Sequence, residues 1–223
     1  MILAMAAPRD MAAPTRTRAT TPGVRRRVIE AALHAFSTEG YDAVSIEMVR
    51  EAADVSVGSL YHHFESKAGV ASAVFAEAID RYHRPLLDVL ATNPPAEYGV
   101  RSLVGAHHRW VAGHADWAAF MVTMGDLAEI RVDAARRDVV NAHLFDALRG
   151  WAQPLMDAGT LRPLEPRVFS SVLFGPSYFH TRLSLIGSAG PPDPGVTEPF
   201  ADAAWHSLAG PAVGLDHRSE QGA

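Results

Sequence analysis

Residues 45–67 read SIEMVREAADVSVGSLYHHFESK and form the most informative stretch of the chain. It predicts two short helices separated by a turn at Asp54, because Ser45 and Ser56 are good N-caps and Asp tolerates a left-handed backbone. Ser66 is placed to cap a further helix. Two short helices joined in this way are typical of a helix-turn-helix, whose second helix lies in the major groove of DNA. The spacing therefore predicts a DNA-binding unit.

The preceding residues supply the third helix of this unit. Apolar residues recur at i, i+3, i+4 and i+7, which predicts an amphipathic helix over 25–39, ended by Gly40; they are Ile29, Ala32, Leu33 and Phe36. In the second short helix, Leu60 and Phe64 are expected to be buried anchors. Most of the remaining positions then face outward, namely Val57, Gly58, Ser59, Tyr61 and His62.

The order of residues over about 25–77 resembles the DNA-binding domain of the TetR family of transcriptional regulators. The matching features are AALHAFSTEGYDAVSIEMV, the turn AADVS and the helix VGSLYHHFESK. The resemblance implies phosphate contacts from Tyr61, His62 and Lys67. It also implies base-facing positions at Val57, Gly58 and Ser59, and bonds from Ser45 and Ser56 to the DNA backbone.

Two residues depart from the pattern of that family. Asp54 stands where the family usually has Gly, and its charge faces the region near DNA. Val57 stands where a polar residue is common. A valine can contact a thymine methyl group but cannot donate a hydrogen bond.

The charge distribution supports a nucleic-acid partner although the net charge of the 223-residue chain is −5. Residues 1–27 hold six arginines and one aspartate. Basic arms of this kind follow the phosphate backbone or enter a minor groove. For residues 1–20 we favour a disordered, solvated tail. For the arginines beside the helix-turn-helix we favour phosphate contact, with Arg26 as the candidate.

The rest of the chain shows helical patterns and almost no strand signal, so we predict an all-α protein. Breaks at residues 92–95 and 188–195 separate long helices, and Pro85, Pro154 and Pro176 are expected to end or bend them. The predicted organisation is a disordered arm (1–24), a helix-turn-helix domain (25–70), a helical ligand-binding and dimerisation domain (71–210) and a disordered tail (211–223).

The TetR resemblance also implies a homodimer, an inverted-repeat operator in double-stranded DNA and a small-molecule effector. Candidate interface residues on the last two helices are Phe169, Leu173, Leu183 and Trp205. Candidate pocket residues are His107, Trp110, His114, Met121, Met124, Phe145, Phe174 and Tyr178. A set that is apolar with a few polar groups suits a small, largely apolar ligand. A repressor released from its operator by that ligand is the leading hypothesis.

Other classes of function are less well supported by the residues. The chain lacks cysteine, and His107 and His114 lie two turns apart, too far to share one ion, so neither a metal site nor a cofactor is predicted. No nucleophile elbow, phosphate loop or carboxylate pair indicates an enzyme, although an all-helical enzyme remains an alternative, as does a DNA-binding regulator without a ligand. No apolar run long enough for a membrane span or secretory signal occurs, so a cytoplasmic protein is expected.

Overall fold

The computed structural model describes residues 21–124, 134–185, 187 and 194–211, and within these ranges every regular element is a helix. The prediction of an all-α fold is confirmed. A short 3₁₀ turn, Pro194–Val196, precedes the last helix. The α-helices are α1 (Thr21–Glu39), α2 (Ile46–Ala52), α3 (Val57–His63), α4 (Lys67–Ala91), α5 (Ala96–Gly113), α6 (Ala115–Met124), α7 (Ala134–Asp157), α8 (Pro166–Leu185) and α9 (Thr197–Leu208).

Local capping fixes the helix-turn-helix as the sequence predicts. The hydroxyls of Ser45, Ser56 and Ser66 each accept a hydrogen bond at 3.1 Å from the backbone N–H three residues later. Asp54 has φ 49° at the turn between α2 and α3, and Gly40 has φ 84° after α1. The serine caps bond the free N–H groups at the helix N-termini, and the positive φ angles turn the chain, without help from distant residues. The unit can therefore be recognised from the sequence alone.

Helix α4 continues past Pro85. The sequence predicts an end at this proline or a little beyond it, and the helix runs on to Ala91, just before the predicted break at residues 92–95. Proline removes one backbone hydrogen bond from the helix interior, whereas Leu86 and Leu90 beyond it are buried in the core of the C-terminal part. Because that burial offsets the lost bond, α4 stays continuous from the helix-turn-helix to its far end at Ala91.

Two buried clusters share α4. The first unites α1, α2, α3 and the first half of α4 with α6, where Phe36 and Phe120 stack with ring centroids 5.9 Å apart. The second unites the far half of α4 with α5, α7, α8 and α9. Since α6 packs directly on α1 and α4, the C-terminal part touches the helix-turn-helix through α6 as well as through α4.

Some predicted features lie outside the described residues. These are residues 1–20 of the arm, the end of the predicted sixth helix at Ile130, and the tail from residue 212. The sequence pattern that begins at Pro166 predicts a helix running to Gly187, but α8 ends at Leu185 and Gly187 has φ 80°. Thr197 is a candidate N-cap by residue type, but it is the first residue of α9, which has no side-chain cap bond.

Candidate nucleic-acid interface and adjoining cleft

The outer face of α3 is open and chemically mixed. Val57 and Tyr61 are 53% and 50% exposed, His62 is exposed, and Leu60 and Phe64 are buried beneath them. A Cβ atom built on Gly58 would meet no atom within 4 Å. This glycine therefore leaves room for the helix backbone to approach another surface, as a helix in the major groove requires.

The three serines at this face already have intramolecular roles. Ser45 and Ser56 are the N-caps of α2 and α3, and the hydroxyls of Ser56 and Ser59 lie 2.9 Å apart in a hydrogen bond. A hydroxyl has one donor and two acceptor positions, so each serine retains some capacity toward DNA. Their first effect is to hold the N-terminus of α3 in place.

Arg50 is a structural residue that sequence reasoning missed. Its guanidinium donates to the Val55 carbonyl at 3.0 Å and pairs with Glu47 at 2.6 Å and Glu51 at 3.3 Å. These bonds tie the end of α2 to the chain entering α3. The motif contains an acidic residue on each side of Arg50, but the carbonyl partner depends on the turn and carries no sequence signal.

Lys67 is turned inward, which changes its predicted role. Its ammonium donates to the carbonyls of Tyr41 and Val44, both at 2.9 Å, and lies 4.3 Å from the centre of the Tyr41 ring. Two of its three N–H groups are thus used inside the protein. Lys67 ties the start of α4 to the loop between α1 and α2, and any phosphate contact can use only the remaining N–H.

We expect Lys67→Ala to lower the free energy of unfolding by ~2 kcal/mol, because two charge-assisted hydrogen bonds and the ring contact disappear. Thermal unfolding measures this loss. The matched control is Arg26→Ala, because the Arg26 side chain is 73% exposed and its one weak ion pair, with Glu30, spans 3.8 Å. That variant should keep its stability and, if Arg26 contacts phosphate, reduce the salt dependence of DNA binding. An unchanged melting temperature in Lys67→Ala would contradict the structural role.

A cleft of about 280 Å³ opens between α4, α7 and α8. Its walls are mainly aliphatic and aromatic, with hydroxyl, amide and imidazole groups among them. Three predicted pocket residues meet here, Phe145, Phe174 and Tyr178. The sequence analysis missed the other lining residues, which are Tyr82, His83, Asn141, Leu144, Leu148, Ser170, Ser171 and Gly175.

The structure does not bring the other predicted pocket residues into this cleft. Trp110 and His114 stack at 5.2 Å between ring centroids beside a separate open crevice between α4 and α5. Met121 and Met124 pack into the cluster beneath the helix-turn-helix. Their positions follow from α6, which turns toward α1 instead of toward α7. The spacing of apolar residues along α6 does not show which helices it will pack against.

His107 lies behind the cleft and joins three helices. Its Nδ1 is 2.9 Å from the Tyr82 hydroxyl on α4, and its Nε2 is 3.2 Å from the Thr181 hydroxyl on α8. The Thr181 hydroxyl donates to the Ser177 carbonyl at 3.0 Å. Thr181 therefore accepts from the Nε2–H of His107, and the Tyr82 O–H donates to Nδ1. A neutral imidazole, which accepts at Nδ1 and donates at Nε2, satisfies the Tyr82–His107–Thr181 network.

Burial, and to a smaller extent the neighbouring His108, lowers the pKa of His107 to about 4. In the unfolded chain the pKa is about 6.5. As the pH falls from about 6.5 to about 4, the unfolded state takes up the proton first, so stability is lost in this window. The loss from His107 should approach ~3 kcal/mol, and nothing is lost at pH 7.

This pH dependence can be assigned by comparison with His107→Gln, which does not titrate and keeps an amide near Thr181. The difference in unfolding free energy between the two proteins should change by ~3 kcal/mol between pH 7 and pH 4. Chemical denaturation at each pH measures it. A difference that stays constant with pH would show that His107 is not kept neutral by the fold.

The predicted dimer residues are mostly inside the chain, which corrects that assignment. Phe169 and Leu173 on α8 and Trp205 on α9 are buried in the second cluster, and only Leu183 remains half-exposed. The helix faces were assigned wrongly because α8 is apolar on two sides. One side fills the chain's own core against α5 and α9, and the other is exposed at Val168 and Phe179.

The helix-turn-helix matches a known family of DNA-binding regulators. Residues 28–74 match the sequence model of the family described as bacterial regulatory proteins, tetR family. Residues 28–74 therefore form a DNA-binding domain of the TetR type. The predicted resemblance is confirmed, and with it the assignment of α2 and α3 as a DNA-binding helix-turn-helix.

Two TetR-type relatives show how far the sequence similarity extends. The HTH-type transcriptional repressor KstR of Rhodococcus jostii (strain RHA1) is 38% identical over 71 residues, which are 32% of this chain and 31% of the relative. The HTH-type transcriptional regulator UidR of Escherichia coli (strain K12) is 30% identical over 88 residues, 38% of this chain and 43% of the relative. The alignments span less than half of either relative.

Solved structures extend the likeness to most of the TetR fold. A TetR family transcription regulator from Marinobacter aquaeolei VT8 has a TM-score of 0.68 at 21% identity, covering 85% of this chain and 97% of that one. FadR from Bacillus subtilis, solved with stearoyl-CoA, has a TM-score of 0.69 at 15% identity, covering 80% and 96%. At these identities the comparison establishes the arrangement of helices.

Two observations concern other classes of site. Across residues 21–124, 134–185, 187 and 194–211, no group of three or more His, Cys, Asp or Glu side chains is arranged to hold a metal ion. In the same ranges, none of the helices combines the length and apolar character needed to span a membrane.

Proposed function

We propose that the protein is a cytoplasmic transcriptional repressor that binds an inverted-repeat operator as a homodimer and is released by a small, largely apolar ligand. The observation that carries this proposal is the open face of α3, where an exposed Val57 and Tyr61 flank an unobstructed Gly58. The names of the TetR relatives, a repressor and a regulator, agree with it.

Dimerisation is proposed through the outer face of α8. Apolar residues follow this face at spacings of three or four, and two of them, Val168 and Phe179, are among the most exposed hydrophobic residues of the described chain. The complete stripe is Val168, Val172, Pro176, Phe179 and Leu183. On α9 one exposed row, Pro199, Ala203 and Ser207, is small or compact, and it lies beside a charged or polar row, Glu198, Asp202 and His206. Small residues suit close approach of helices across a two-fold axis.

The cleft between α4, α7 and α8 is the proposed effector site. Its mixture of aromatic walls and a few polar groups is that of small-molecule pockets. Tyr82 lines this cleft and also donates to His107. A ligand that moves Tyr82 therefore acts on α4, whose other end is capped beside α3.

The proposed coupling is a shift in the separation of the two DNA-binding units. Because α4 runs unbroken over 25 residues, a small rotation at Tyr82 is carried to its N-terminus. A ligand that prefers the rotated state would weaken operator binding by its differential affinity for the two states, typically ~1–3 kcal/mol.

Selection of DNA by the purified protein tests this function. The protein is mixed at low salt with sheared DNA from its source organism, and the bound fragments are sequenced. Enrichment of one inverted repeat upstream of genes is expected. Fragments bound without any shared sequence would contradict an operator-specific repressor. Extracts of small molecules are then added to the complex of the protein with the recovered fragment. Release of the DNA shows that a ligand acts on the protein.

A further inference from the structure

The chemistry available at the front of α3 is unusually restricted. Bases in the major groove are commonly identified by bidentate hydrogen bonds, from Arg or Lys to guanine and from Asn or Gln to adenine. The first turn of α3 consists of Val57, Gly58 and Ser59. Valine and glycine side chains donate no hydrogen bond, and a single hydroxyl cannot form a bidentate pair.

The Ser59 hydroxyl is also engaged within the protein. It lies 2.9 Å from the Ser56 hydroxyl, which in turn accepts from the Ser59 backbone N–H at 3.1 Å. This pair of serines fixes the N-terminus of α3. The Ser59 hydroxyl accepts from Ser56 and keeps its own O–H, but a single donor cannot form the bidentate pair that identifies a base. The side chain of Val57 is then the main feature that the first turn of α3 presents to DNA.

Val57 is suited to an apolar contact. It is 53% exposed and stands directly after the N-cap Ser56, next to the unobstructed Gly58. A β-branched side chain in a helix has one strongly preferred rotamer, so its two methyl groups are held in a fixed direction. Thymine alone among the four DNA bases presents a methyl group in the major groove.

We propose that Val57 reads the 5-methyl group of a thymine in each operator half-site and is the principal base-selecting side chain of α3. The proposal rests on the proposed DNA-binding function. It predicts an operator in which one thymine per half-site is recognised by its methyl group. Tyr61 and His62 would hold the helix in place by contacts with DNA phosphates.

Replacing thymine by deoxyuridine tests this directly, because uracil keeps every hydrogen-bonding group and lacks only the methyl. Each thymine of the recovered operator is replaced in turn, and affinity is measured at fixed salt. One position per half-site should lose affinity about fourfold, and about fifteenfold when both half-sites are changed. Replacement at the other thymines should have little effect.

The same series with Val57→Ala identifies the side chain. This variant should bind the natural operator as weakly as the wild-type protein binds the deoxyuridine operator, and it should no longer distinguish the two DNAs. Val57→Thr, which keeps one methyl group, should be intermediate. Tyr61→Ala is the control, because it should weaken binding to both DNAs equally and leave the methyl dependence intact.

The outcomes separate this inference from the function beneath it. An operator that is bound specifically but shows no deoxyuridine effect, or the same effect in Val57→Ala as in the wild-type protein, would overturn methyl reading by Val57. A protein that selects no DNA sequence at all would overturn the proposed function itself. Thermal unfolding of the Val57 variants excludes misfolding as the cause of weak binding.

Discussion

Gly58→Glu should abolish specific DNA binding, with a loss of affinity of at least about a thousandfold. A side chain at position 58 would enter open space, so the fold has no reason to change. In the complex, however, the carboxylate would face the floor of the major groove without a partner. An unpaired charge in an interface costs several kcal/mol, and the proposed homodimer would bring two copies.

Gly150→Glu is the matched control for this experiment. Gly150 is also an exposed helical glycine whose Cβ would meet no atom within 4 Å, and it lies on α7. The two variants carry the same change in charge. Gly150→Glu should bind operator almost as the wild-type protein does, measured by fluorescence anisotropy at one salt concentration. Equal affinities for both variants would show that α3 is not the recognition helix.

Phe179→Glu should convert the proposed dimer into monomers. Phe179 is 62% exposed in the single chain and lies in the middle of the apolar stripe on α8. A two-fold interface contains two copies of the Phe179 side chain, so the substitution removes both. The dissociation constant of the dimer should therefore rise by at least about a thousandfold. Sedimentation at micromolar concentration measures this. Operator affinity should fall with it, because a monomer holds only one half-site.

Tyr98→Glu provides the comparison for Phe179→Glu. Tyr98 is equally aromatic and 66% exposed, but it lies near the start of α5, away from the stripe. Its replacement should leave the dimer intact. If Phe179→Glu remains dimeric while its fold is unchanged, the interface lies on another face of the protein.

The helix-turn-helix could be predicted from sequence because its determinants are local. Three serine caps, a left-handed Asp54 and the buried pair Leu60 and Phe64 act within a few residues of one another. Such signals survive without knowledge of the tertiary fold. The position of the Lys67 side chain could not be predicted in this way, because its carbonyl partners lie 23 and 26 residues away in the chain.

The cleft and the dimer face could not be predicted in the same way. Both depend on which helices become neighbours, and apolar periodicity does not identify the neighbour. On α8, Phe169 and Phe179 look alike in sequence, yet one fills the core and the other is exposed. Polar residues such as Tyr82 and Thr181 gain their roles from His107, which contacts them across 25 and 74 residues of chain.

Helix α4 contains both local features, which can be predicted from sequence, and features that depend on tertiary neighbours. Its N-cap Ser66 belongs to the local motif, and its Tyr82 belongs to the network around His107. The proline at position 85 is tolerated beyond the network, where Leu86 and Leu90 hold the helix to the second cluster. In the proposed coupling, α4 would carry a movement at Tyr82 to the helix-turn-helix, and α6, which packs on α1, touches the same unit.

In the proposed complex, two copies of α3 read successive major grooves on one face of DNA, about 34–36 Å apart. Inserting about five base pairs between the half-sites of the recovered operator turns them to opposite faces, since one turn is about ten base pairs. Affinity for this DNA should fall to that of a single half-site. Undiminished affinity for the lengthened operator would contradict a dimer with two α3 helices at fixed separation.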